Sequence, residues 1–294
     1  MEGNLFNTIH NSTRRTFCKH IGAAAATTVF LGTNTLSTHA DSNQDARFRH
    51  SSRAGINVLL VHGAWVDASS WIGVIPLLQA QGYNVLAVQN PLSSLADDVN
   101  ITRQALASLS GPTILVGHSY GGMVITNAGT GASNLHSLVY IAAVAPVEGE
   151  SLAGIASRFP TPPVVAHVVP SYRQGYNWVD PAFFPTDFVQ DIPIAKARML
   201  AMVQKPITPE CFMAKSGPPA WKTVPSWYLV SGNDRAINVA SEHFMAKRIG
   251  ATTRQIASSH ASPVSHPQAV FEIIVAASQG APAVRQRTHA SLRR

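Results

Sequence analysis

Five consecutive residues, Gly117-His118-Ser119-Tyr120-Gly121, set a hydroxyl between two glycines, after the apolar run "TILVGH" and ahead of the helix-length segment "YGGMVITNAGTG". A serine so placed occupies a tight strand-to-helix turn and presents its Oγ above the sheet edge, the setting of an acyl-transfer nucleophile. The five-residue spacing is weak by itself, because glycine and serine are common; the flanking strand and helix give it force. Such a serine needs a histidine as base and a carboxylate to orient it, in the chain order serine, acid, histidine. "WYLVSGNDRAI" offers Asp234 just past an apolar strand. Asp187, Asp191, Glu210 and Glu242 compete for the role, and a turn or N-cap duty is the structural alternative for Asp234 itself.

Two histidines follow in "IASSHASPVSHP" (256–267). The strand "TTRQIA" is expected to end near Ala257, which leaves His260 in the loop where the base belongs. Ser265 reads as an N-cap that forms a capping box with Gln268, with Pro267 in the first turn. His266 is then expected at the first helical position, where the helix dipole opposes its protonation. His62 and His118 read as locally packed histidines. Ser119, Asp234 and His260 are therefore the candidate catalytic set, and the backbone amides of Ala64 and Tyr120 are the candidate oxyanion donors.

These residues must be positioned by the elements around them. Short apolar runs, "INVLLVH", "YNVLAVQ", "TILVGH", "SLVYIAA", "SWYLVSG" and "TTRQIA", alternate with helix-length segments. That pattern predicts an α/β fold, a doubly wound and mostly parallel sheet of six or more strands with helices on both faces. Such sheets bind ligands beyond the carboxyl ends of their strands. Pro76 is expected to kink the first helix or mark its start. Between about 146 and 223 the alternation stops in favour of proline and aromatics, with one clear helix candidate, "IPIAKARMLAMV". Five of the chain's eleven phenylalanines lie there, which argues against disorder and for an inserted cap. Trp65, Trp178, Phe183 and Phe184 are the candidate contacts for a small or medium apolar substrate.

The remaining chain bounds the function. Residues 55–280 carry the domain. Residues 1–40 read as an export signal of the twin-arginine type, with "TRRTFCK" before an alanine-rich apolar run too short for a membrane anchor. Residues 41–54 read as a linker and 281–294 as a basic tail. The expected product is an exported, periplasmic or secreted bacterial protein whose precursor meets the twin-arginine machinery. The net charge of +7 is scattered, and no nucleic-acid-binding motif accompanies it. Cys18 and Cys211 are the two cysteines, so loss of the signal leaves no internal disulfide. The scattered histidines form no ligand cluster, and neither metal nor organic cofactor is expected.

The segments "VHGAWVDASSW", "VGHSYGGMV", "APVEGESL", "LVSGNDRAI" and "SSHASPVSHP" make the chain, from about 55 to 280, similar to the α/β-hydrolases. Within them it resembles the branch of plant methylesterases, hydroxynitrile lyases and bacterial esterases. The resemblance implies Ser119 as nucleophile, Asp234 as acid, His260 as base, Ala64 as an oxyanion donor and a helical cap over an apolar pocket. Ala261 stands where the lyases of that branch carry a lysine beside the base, which counts against cyanohydrin cleavage. The expected activity is hydrolysis of small-molecule carboxylic esters through an acyl-enzyme. A lactonase or acyltransferase with the same triad, or a non-catalytic ligand-binding protein, are the alternatives.

Overall fold

The computed structural model describes residues 55–280; the expected export signal, linker and basic tail lie outside the described residues. The strands are β1 (Asn57–Val61), β2 (Asn84–Val88), β3 (Thr113–His118), β4 (Leu135–Ile141), β5 (Val168–Pro170), β6 (Asn177–Val179), β7 (Ser226–Ser231) and β8 (Thr252–Ile256). Six of them form one sheet in the order β2-β1-β3-β4-β7-β8, parallel at every pairing. The six apolar runs of the sequence are these six strands. β5 and β6 form a separate antiparallel pair. The helices are α1 (Ile75–Ala80), α2 (Leu95–Ala107), α3 (Gly121–Ala128), α4 (Leu152–Ala156), α5 (Phe184–Asp187), α6 (Ile194–Met202), α7 (Glu210–Met213), α8 (Val239–Arg248), α9 (Ser262–Ser265) and α10 (Pro267–Ser278).

Successive side chains of a strand point to opposite faces, so a sheet covered on both sides needs apolar residues at every position. β1, β3 and β7 are buried throughout. Leu59, Val61, Leu115, Leu138, Tyr140 and Tyr228 join one core with residues of α2, α3 and α8. Their alternates Val58, Leu60, Ile114, Val116, Val139 and Trp227 join the other with Trp71, Leu78 of α1 and the α10 residues Val270, Ile273 and Ile274. The edge strands β2 and β8 carry exposed positions. Helix starts follow capping chemistry: Ser94 accepts from the Asp97 amide ahead of α2, Asn238 accepts from the Ala240 amide ahead of α8, and Pro76 sits in the opening turn of α1.

The C-terminal helix begins differently from the sequence expectation. Ser265 is not its N-cap, because it closes the separate turn α9: its amide donates to Ala261 O at 3.1 Å, and that of His266 donates to Ser262 O at 2.8 Å. His266 is the non-helical residue between α9 and α10, at φ −132° and ψ 53°. No capping box forms, and Gln268 Nε2 instead donates to Glu272 Oε1 at 3.3 Å. Pro267 does open the helix.

Residues 142–225, between β4 and β7, hold α4 to α7 and the β5–β6 pair. The helix candidate "IPIAKARMLAMV" is α6. Ile155, Val164, Val179, Phe184, Phe188, Ile207 and Cys211 of this segment are buried against the core that α2, α3 and α8 line. The Lys205 amide donates to Trp65 O at 3.2 Å, joining the segment to the loop after β1.

Candidate active site

Ser119 follows β3 at φ 55°, a left-handed backbone that a residue with a Cβ adopts only at a cost. Its peptide is pinned on both sides: the amide donates to Ile141 O at 3.1 Å, and the carbonyl accepts from the Gly122 and Val144 amides at 3.0 and 3.1 Å. The glycines are required by closeness. A Cβ on Gly117 would lie 2.6 Å from Gly121 O, and one on Gly121 would lie 2.6 Å from Val61 O. Gly63 runs beside the serine itself, where an added Cβ would meet Ser119 Cβ at 2.7 Å. The non-glycine residues with positive φ among those described are Trp65, Leu92, Ser119 and Ala142. Each lies within four residues of the carboxyl end of β1, β2, β3 or β4 respectively.

His260 lies beyond β8 with its Nδ1 2.5 Å from Asp234 Oδ2, and both side chains are buried. A carboxylate there accepts the Nδ1 proton, which fixes the tautomer and leaves Nε2 as the basic nitrogen. That Nε2 is buried and has no hydrogen-bond partner among the described residues. Asp234 Oδ1 accepts from the Ala236 and Ile237 amides at 2.6 and 2.8 Å. The aspartate is thus a turn residue through one oxygen and a histidine partner through the other. His118, next to Ser119, carries its ring 4.8 Å from that of His260 and donates from Nε2 to His260 O at 2.9 Å. Burial lowers His118 well below the ordinary histidine range and keeps it neutral. Phe188 packs edge-on against the His260 ring at 4.8 Å.

The competing residues occupy other positions. His62 accepts from the Asn90 amide through Nε2 (3.1 Å) and faces Gly63 O through Nδ1 (2.9 Å). His266 pairs with Ser265 Oγ at 2.8 Å and lies 3.4 Å from Asp191. Asp187 binds His167 at 2.6 Å, and Asp191 accepts from the Ser259 amide at 2.7 Å. Ala64 and Tyr120 are buried, and neither amide donates a hydrogen bond among the described residues. The Tyr120 hydroxyl donates to Asp98 at 2.8 Å.

Two cavities share Trp65 as a wall. One, of about 310 Å³, is lined by Phe184, Phe188, Lys196 and Ala261; the other, of about 400 Å³, by Val144, Leu152, Val164, Phe212 and Met245. Trp65 packs on Phe188 and Phe212 with ring centroids at 6.1 and 5.7 Å. Trp178 and Phe183 line neither: Phe183 stacks on His167 at 3.6 Å, and Trp178 meets Tyr172. Phe188, Phe212 and the tie from His118 to His260 were not singled out by sequence reasoning. The aromatic density of residues 146–223 signals the first two, whereas no local pattern signals the third. Among the described residues, no group of three or more histidines, cysteines, aspartates or glutamates could hold a metal ion, and no helix is long and apolar enough to cross a membrane.

Residues 58–273 match the model of an alpha/beta hydrolase family. The chain is 25% identical over 245 residues to the alpha/beta hydrolase nvfD of Aspergillus novofumigatus, covering 74% of this chain and 94% of that protein. It is 33% identical over 130 residues to a carbendazim hydrolyzing esterase of a Nocardioides species, covering 40% of this chain and 54% of that one. Among solved structures it resembles polyneuridine aldehyde esterase (TM-score 0.66, 20% identity, 76% of this chain and 98% of that one). It also resembles a pyrethroid hydrolase from Sphingobium faniae (0.64, 20%, 76% and 98%). At that identity the likeness is one of fold.

Proposed function

The chain belongs to the alpha/beta hydrolase family, and from that premise we propose that it is a serine hydrolase of carboxylic esters, acting through Ser119, His260 and Asp234. The observation that carries the reading is the buried His260–Asp234 pair at 2.5 Å, with Nε2 left unpartnered, on a loop hydrogen-bonded to the residue beside Ser119. His260 Nε2 takes the Ser119 proton as Oγ attacks the acyl carbon. The oxyanion is held by the Ala64 and Tyr120 amides, whose freedom from internal bonds suits them to it. Collapse expels the alcohol, which receives the proton from His260. Water then enters by the same base, releases the acid and returns the proton to Ser119. The two apolar cavities that Trp65 lines favour small or medium apolar esters. The esterase among the sequence relatives supports the same direction.

A fluorophosphonate probe tests the assignment. It should label the wild-type protein and leave Ser119→Ala unlabelled, and turnover of p-nitrophenyl esters should fall with the label. Equal labelling of both proteins, or none of the wild type, would overturn it.

A further inference from the structure

Behind Asp234 lies a second buried carboxyl. Glu242, in the first turn of α8, is fully buried. Its Oε2 accepts from the amide of Ser231, the last residue of β7, at 3.2 Å. Its Oε1 is also buried and meets no donor among the described residues. The Asp234 amide donates to the carbonyl of the same Ser231 at 3.1 Å, and the Asp234 carboxyl, itself buried, is the charged neighbour that acts on Glu242. Among the described residues no lysine, arginine or histidine lies within ion-pair distance of Glu242. Tyr228 is a further ionisable group that senses its charge, and its hydroxyl is engaged with both backbone groups of Ala143.

Two neighbouring carboxyls removed from water do not both ionise. The donors decide which one holds the charge. Asp234 receives the Ala236 and Ile237 amides and His260 Nδ1, whereas Glu242 receives the Ser231 amide alone. We infer that Glu242 is held as a neutral acid and donates from its orphan oxygen to Asp234, as a positioning residue that keeps Oδ2 aimed at His260. Burial and the Asp234 charge push the Glu242 carboxyl well above the usual carboxylate range. Its place in the first turn of α8 favours the anion, but that is the weaker effect for a group removed from water.

The inference rests on Asp234 serving as the triad acid, so the first readout is independent of turnover. The infrared difference spectrum of wild type minus Glu242→Gln should show a protonated-carboxyl band at neutral pH; its absence overturns the inference. Kinetics on a p-nitrophenyl ester form the second readout. Glu242→Met should lower kcat about 10- to 100-fold, the cost of a misplaced catalytic group, with KM within about threefold. Glu242→Gln can accept from Ser231 and donate to Asp234, so it should recover most of that loss. The acid limb of its kcat/KM profile should stay in place, since no charge has been removed. A Gln variant as slow as Met, a Met variant as fast as wild type, or an acid limb displaced by about one pH unit would each overturn it. Should Glu242→Met not fold, the band and the Gln profile still decide. A band present in a wild-type protein that turns over no ester would sink the esterase reading and leave the carboxyl pair standing.

Discussion

At the scale of residues, the two histidines of "IASSHASPVSHP" do different work. His260 is buried against Asp234, while His266 lies between two helices beside Ser265 and Asp191. His260→Ala should therefore abolish ester turnover, and His266→Ala should retain most of it, as measured by kcat/KM on one ester. Reversed outcomes would overturn the assignment of the base. The separation was legible from the strand end before His260 and from Pro267, which opens the last helix. The expected capping box between Ser265 and Gln268 does not form. Ser265 is taken up by a helical turn that Ser262 begins, and a four-residue turn leaves no periodic trace in a sequence. His118 is a different case. Its link to the His260 carbonyl spans 142 positions, a tertiary contact that no local pattern encodes.

At the scale of elements, β1, β3, β4 and β7 were readable because a strand covered on both faces is apolar without interruption. Within 142–225 only α6 was readable, since α4, α5 and α7 have four or five residues each, below a useful helical period. The loop after β1 shows how one such element is held in shape. His62 bridges Asn90 N and Gly63 O from a fully buried ring, and burial lowers it to about 4. Its folded value lies below the unfolded one of 6.5, so the unfolded chain binds the proton first. The contribution is intact above pH 6.5 and is lost as pH falls toward 4, by about 3 kcal/mol at most. Urea midpoints of wild type should therefore drop more steeply over that range than those of His62→Gln, which accepts from Asn90 without titrating. Parallel curves would exclude His62 as the source.

At the scale of the whole molecule, the candidate triad is assembled by strand direction. Ser119, Asp234 and His260 follow β3, β7 and β8, and because every pairing in the sheet is parallel, all three leave at the same edge. The segment 142–225 departs from β4 at that edge too, which is how Phe188 reaches His260 and Phe212 reaches Trp65. The same edge holds the four left-handed residues, Trp65, Leu92, Ser119 and Ala142. Conformations of this kind cost roughly 1–3 kcal/mol each, so the rim that carries the candidate triad is where the fold is least at ease with its own sequence. Glycine at 119 would release part of that tension along with the hydroxyl. Ser119→Gly should melt higher than wild type by a few degrees, about 1 kcal/mol, in a calorimetric scan, while being inert toward esters. A lower midpoint would mean that the turn is relaxed as it stands. On this account the chain carries its proposed nucleophile at the expense of its own durability, and selection for thermal robustness alone would erase it.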